Sequence, residues 1–132
     1  MPTPTTITLD DNDAWSRLRS QSFGRLAVSV DGHPDIFPLN FLATDGDGIL
    51  LRTEPGTKVD DIDSNPNVAF EVDHTDEQTA WSVVVRGVAT RVADEESLRL
   101  LTTAPLWAWA PGEKSVFLHI EPTSVIGRLF TR

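Results

Sequence analysis

Apolar and polar residues alternate along much of this 132-residue chain, in short runs separated by turn residues. Leu26, Val28 and Val30 alternate with smaller or polar side chains, the pattern of a half-buried strand. Asp31-Gly32 is a hairpin signal, and the returning run Ile36-Phe37-Pro38-Leu39-Asn40-Phe41-Leu42 is apolar on both faces. Pro38 has no N–H to give to a ladder, which predicts an edge position or a bulge near it. A second hairpin at Asp45-Gly46-Asp47-Gly48 leads into a strand over Ile49–Thr53, and Val68, Phe70 and Val72 mark another. The longest strand runs from about Trp81 to Val92, with Trp81, Val83 and Val85 on one face and Ser82, Val84, Arg86 and Val88 on the other. Gly87 in its interior predicts a bulge or a sharp barrel bend. Two last strands are predicted at Ser115–Glu121 and Ser124–Phe130.

Short helices punctuate these strands. Asp10 or Asp11 can cap one that carries Trp15 and Leu18 on one face. Thr57 and Asp60 have capping-box spacing, which predicts a helix N-terminus at Thr57, and Pro66 stops that helix. Asp94-Glu95-Glu96 opens a third, with Leu98 and Leu101 on one face and Pro105 at its end; Leu106–Gly112 reads as an aromatic loop. Six or seven sequential antiparallel strands would expose edges in an open sheet, and closure removes them. The expected fold is therefore mainly β: an antiparallel, Greek-key-like barrel with a few short helices. Residues 1–8 are expected to form a flexible tail and residues 9–132 one domain.

Composition narrows the chemistry. Hydrophobic residues at 39% and charged residues at 23% fit an ordinary globular chain. A net charge of −9 with no basic stretch argues against a nucleic-acid partner. The absence of cysteine excludes disulfides, thiolate catalysis and iron–sulfur clusters. No apolar run approaches the ~20 residues of a bilayer span, and Met1–Thr6 lacks the regions of a secretory signal, so a cytoplasmic protein without a membrane partner is expected. There is no G-x-S-x-G or H-E-x-x-H, and His33, His74 and His119 lack metal-site spacing, so no metal is expected. Arg52, Thr53, Thr57 and Lys58 surround the helix N-terminus predicted at Thr57. Cations, hydroxyls and free N–H groups there suit an anion, most simply a phosphate. The same segment reads equally as an ordinary capped helix with two solvated basic side chains.

An ordered set of short motifs adds a family resemblance. Gly24-Arg25-Leu26-Ala27-Val28, Pro38-Leu39-Asn40-Phe41, Arg52-Thr53 with Lys58, Asn65-Pro66-Asn67-Val68-Ala69-Phe70, Trp81-Ser82-Val83-Val84-Val85-Arg86-Gly87 and Gly127-Arg128 occur in that order. The set resembles the pyridoxamine 5′-phosphate oxidase-like family of FMN-binding split β-barrels, over roughly Phe23 to Arg128. The resemblance implies a homodimer with cofactor sites at the subunit interface. It implies that the isoalloxazine lies against the strand Phe37–Phe41, with Pro38, Leu39, Asn40 and Phe41 as cofactor contacts, and that Arg52, Thr53, Thr57 and Lys58 hold the phosphate. It also implies that Trp107 and Trp109 close over the partner's cofactor. Arg128 either reaches the interface or cofactor or makes a salt bridge. The activity implied is flavin-dependent oxidation or reduction of a small molecule, the cofactor carrying the redox chemistry and no catalytic side chain assigned. The chain ends four residues after Arg128 and shows no second phosphate site, so oxidation of a vitamin phosphate is not the first expectation. A deazaflavin-dependent reductase and a non-enzymatic flavin carrier are the alternatives.

Overall fold

The structure, a computed structural model, describes residues 5–44, 48–94 and 116–131. The elements are β1 (Thr5–Leu9), α1 (Asp11–Arg19), β2 (Phe23–Val30), β3 (His33–Ala43), β4 (Ile49–Thr53), α2 (Thr57–Ser64), β5 (Asn67–Thr75), β6 (Thr79–Arg91) and β7 (Val116–Thr131). The strands run β1-β7-β4-β3-β2-β5-β6 in space, and β6 also pairs with β7. That extra pairing closes six strands into an antiparallel barrel, with β1 added along β7. β2, β3 and β4 follow one another, and β5 returns beside β2, which is Greek-key order. α2 lies in the β4–β5 crossover.

Period-two alternation fills the interior. Leu26 and Val28, Ile49 and Leu51, Phe70 and Val72, Val83 and Val85, and Leu118 and Ile120 all point inward and are buried. Phe41 and Phe70 meet with ring centroids 5.0 Å apart, tilted by 59°. α1 adds Ala14, Trp15 and Leu18 to the same core. Asp10 caps it, accepting from the Asp13 N–H at 2.8 Å. In the β2–β3 turn Asp31 and Gly32 have φ of 52° and 79°, the doubly left-handed backbone that Asp-Gly supplies.

Several expectations are corrected. Residues 5–8 of the expected flexible tail belong to strand β1, Thr5–Leu9, in register with Gly127–Thr131 of β7. The two strands predicted around Pro122 are one strand, β7. The Pro-Thr pair that looked like a break is absorbed as a bulge: Arg86 faces Ser124 and Gly87 faces Pro122, leaving Thr123 as the extra residue. The Thr123 hydroxyl donates to the Arg86 carbonyl at 3.2 Å. α2 begins at Thr57 as predicted, but Thr57 is its first helical residue; Gly56 is the N-cap, and no side chain makes a capping hydrogen bond. The capping box does not form because Thr57 lies inside the helix, where its hydroxyl does not face the next N–H groups. The predicted helix from Asp94, the 106–112 loop and residues 45–47 of the second hairpin lie outside the described residues, apart from Asp94 itself.

Gly87 is where the bulge brings two backbones together. A Cβ there would meet Ile120 Cγ2 at 2.8 Å and the Glu121 carbonyl oxygen closer still. Gly87→Ala should therefore lower stability by about 1–3 kcal/mol, the usual cost of overpacking. The test is a urea titration, where the midpoint should fall with little change in slope. An unchanged midpoint would show that β7 can move aside.

Candidate functional site

The end of β4 and the start of α2 gather the predicted anion ligands. Ile49, Leu51 and Thr53 face the interior of the barrel, whereas Leu50 and Arg52 are half-buried on the outer side. Thr53, 6% exposed, is the only polar or charged side chain among the described residues that is buried. Its hydroxyl accepts from Lys58 Nζ at 3.4 Å and donates to the Glu54 carbonyl at 3.4 Å. Lys58 Nζ also sits 5.3 Å from the centroid of the Phe37 ring, within cation–π range. Among the described residues Lys58 pairs with no carboxylate. Thr57, exposed, opens the helix whose N-terminus no side chain caps.

Thr53 and Lys58 are thus brought together with Phe37, and Thr57 precedes Lys58 at the start of α2; the sequence had placed Phe37 in the strand expected against the flavin ring and not beside the phosphate ligands. The available signal was its parity: Phe37 shares the inward face of β3 with Leu39 and Phe41. Arg52 lies on the other face of β4, in register with Phe117, with its Nη1 buried. Lys58 is thus the cation that the structure places beside the positive end of α2.

β3 explains Pro38. β2 pairs with His33–Asn40 in unbroken register, but β4 pairs only with Phe41–Ala43. Among the described residues no strand covers the other flank of His33–Asn40, so the proline lies on an open edge, as predicted, and the β2–β3 register contains no bulge. Pro38 is exposed, Leu39 and Asn40 are half-buried. Phe41 differs from its neighbours: it is 1% exposed, packed on Phe70, and its N–H donates to the Ser22 carbonyl at 3.0 Å. Its ring belongs to the core. Arg128 is exposed on β7 between Ser82 and Thr8, at the far end of that strand from Val116, the partner of Thr53. Within one chain it does not join the other candidates. Trp107 and Trp109 lie outside the described residues.

The outer face of the barrel carries a second feature. Pro38, Arg25, Glu71, Val84 and Ile126 form one cross-strand row over β3, β2, β5, β6 and β7. Arg25 Nη1 donates to Glu71 at 3.0 Å and to Asp73 at 3.2 Å. Burial, aided by the hydrogen bond and charge of Asp73, pushes the Glu71 carboxyl up to about 7 against the opposing pull of Arg25. Phe23, Ile36, Ile126 and Phe130 remain exposed, Ile36 at 65%. A groove of about 420 Å³ beside them is lined by Ala27, Ala69, Arg86 and Thr123 among others.

Comparison with known proteins agrees with this architecture. Residues 10–129 match the family described as pyridoxamine 5′-phosphate oxidase, and the chain belongs to that family. An uncharacterized Mycobacterium tuberculosis protein, Rv0080, is 34% identical over 128 residues, covering 92% of this chain and 83% of its own. A Corynebacterium glutamicum structure described as a candidate pyridoxamine 5′-phosphate oxidase superposes with a TM-score of 0.88 at 36% identity, over 97% of this chain and 100% of that one. A Mycobacterium smegmatis structure described as an FAD-binding protein gives a TM-score of 0.80 at 35% identity, over 95% and 98%. The barrel is thus the split barrel of this family. Among the described residues, no helix is long and apolar enough to cross a membrane.

Glu71 yields a pH prediction. Its folded-state pKa lies above its unfolded value, so its protonated form favours folding. That contribution is complete below about 4.5 and is lost as pH rises through about 7. Wild-type protein should lose more thermal stability between about pH 5 and pH 8 than Glu71→Gln, which stays neutral throughout. Equal losses would show that Glu71 does not titrate in this window.

Proposed function

We propose that this chain binds a flavin nucleotide, FMN in the first instance, and works as a homodimeric flavin-dependent oxidoreductase on a small molecule. The observation that carries the reading is Lys58. Its ammonium is half-buried at an uncapped helix N-terminus, held by the Thr53 hydroxyl and the Phe37 ring, and neutralised by no carboxylate among the described residues. A cation kept in that state suits a phosphate, which also meets the N–H groups of α2 and the positive end of its dipole. Membership of the pyridoxamine 5′-phosphate oxidase family and the FAD-binding relative at 35% identity support a flavin as the bearer of that phosphate. FMN and FAD share the phosphate on the ribityl chain, so one clamp serves either.

When bound, the flavin would supply hydride or electron transfer, and no protein nucleophile is needed. The chain's own residues then have defined tasks. Lys58, Thr53, Thr57 and Arg52 hold the phosphate. The open flank of β3 at Pro38–Asn40 leaves backbone groups for the polar edge of the ring, and the Asn40 amide can both donate and accept. Arg128 would serve the partner's site, because its own lies at the other end of β7. A second copy is the occupant we assign to the outer face, supported by exposed Phe23, Ile36 and Ile126 around the Arg25 cluster. A cytoplasmic location belongs to the same proposal.

Two measurements test this. Lys58→Ala should weaken FMN binding about 10- to 100-fold, as for loss of a charged hydrogen bond, and leave riboflavin unaffected. Equal wild-type affinity for FMN and riboflavin would defeat the phosphate clamp, and tight binding of a deazaflavin cofactor alone would make the protein a reductase of that type. Light scattering should give twice the 14.5 kDa chain mass. Ile126→Asp should give monomers with reduced flavin affinity; a dimer unaffected by that change would place the interface elsewhere.

A further inference from the structure

We propose that Phe37 is a positioning residue for the phosphate clamp: its ring holds the Lys58 ammonium charged, oriented and available to the ligand. The inference rests on the phosphate reading above. A lysine stem is long and samples many rotamers, and a bound ligand must immobilise it. A carboxylate would fix Lys58 but would also neutralise it and compete with a phosphate. An aromatic face attracts the ammonium through the ring quadrupole and brings no negative charge. At 5.3 Å from the ring centroid and 3.4 Å from Thr53 Oγ1, Lys58 Nζ is held from two sides while keeping N–H donors for an anion.

The backbone makes this support rigid. Phe37 precedes Pro38, and a residue before proline is confined to extended backbone. Phe37 pairs with Leu26 across β2 and packs against the buried core. The ring that steadies Lys58 is therefore fixed to the same open segment of β3 that is assigned to the flavin ring. One short strand segment sets the spacing between the two ends of the cofactor.

A double-mutant cycle tests the proposal. Wild type, Phe37→Leu, Lys58→Ala and the double variant are titrated with FMN and with riboflavin, and Phe37→Tyr serves as the conservative rescue. With Lys58 present, Phe37→Leu should weaken FMN binding about threefold to tenfold more than it weakens riboflavin binding. With Lys58 absent that difference should vanish, and Phe37→Tyr should retain wild-type affinity. Phe37→Met, closer in volume, replaces the leucine variant if that protein does not fold. The proposal is overturned if the loss is the same in both backgrounds, extends equally to riboflavin, or does not occur. If Lys58→Ala alone leaves FMN affinity unchanged, the phosphate reading itself fails and this inference with it, an outcome the single variant identifies.

Discussion

Closure of the barrel through β7 is the constraint on which the rest of the structure depends. β7 pairs with β6 from Leu118 to Thr131, with β4 at Val116–Ile120, and with β1 at Gly127–Thr131. One strand thus seals the β4 edge to the β6 edge and then carries an additional strand. Antiparallel strands with one apolar face each gain by this arrangement, since closure encloses the inner faces and pairs the β4 and β6 edges with one strand, leaving the His33–Asn40 flank of β3 open. The bulge at Thr123 lets β7 bend enough to serve both neighbours, and Gly87 gives it room.

The candidate site follows from what closure leaves incomplete. β4 is only five residues long, so it covers only the last part of β3 and leaves the Pro38 flank open. The chain leaves β4 at Thr53 and must cross to β5, on the other side of β2, and α2 forms in that crossover. Its N-terminus consequently falls beside the end of β4, where Thr53 is buried, Lys58 turns back onto it, and Phe37 supplies the third contact. The Arg25–Glu71–Asp73 cluster sits on the opposite, outward face of the barrel, so its carboxylates do not neutralise Lys58.

Much of this was legible in the chain. Alternation located β2, β4, β5 and β6, Asp31-Gly32 located a turn, and Gly87 located the bulge, because each rests on local backbone chemistry. Pro38 marked an open edge for the same reason. Non-local pairing was not legible: Thr5–Leu9 is polar enough to resemble a tail and becomes a strand only because β7 offers an edge. Pro122-Thr123 resembled a break because a bulge and a turn use similar residues. Thr57 and Asp60 had capping-box spacing, but the position of Gly56 moved Thr57 into the helix. Arg52, Thr53, Thr57 and Lys58 could be chosen from sequence because they are neighbours, whereas the contact between Phe37 and Lys58 needed the fold to bring a β3 side chain to the start of α2.

The most direct test is a crystal structure of the protein grown with FMN. The account predicts a phosphate oxygen within about 2.7–3.2 Å of Lys58 Nζ, at the N-terminus of α2, with the ring along Pro38–Asn40. A phosphate bound away from Lys58 and α2 would contradict it.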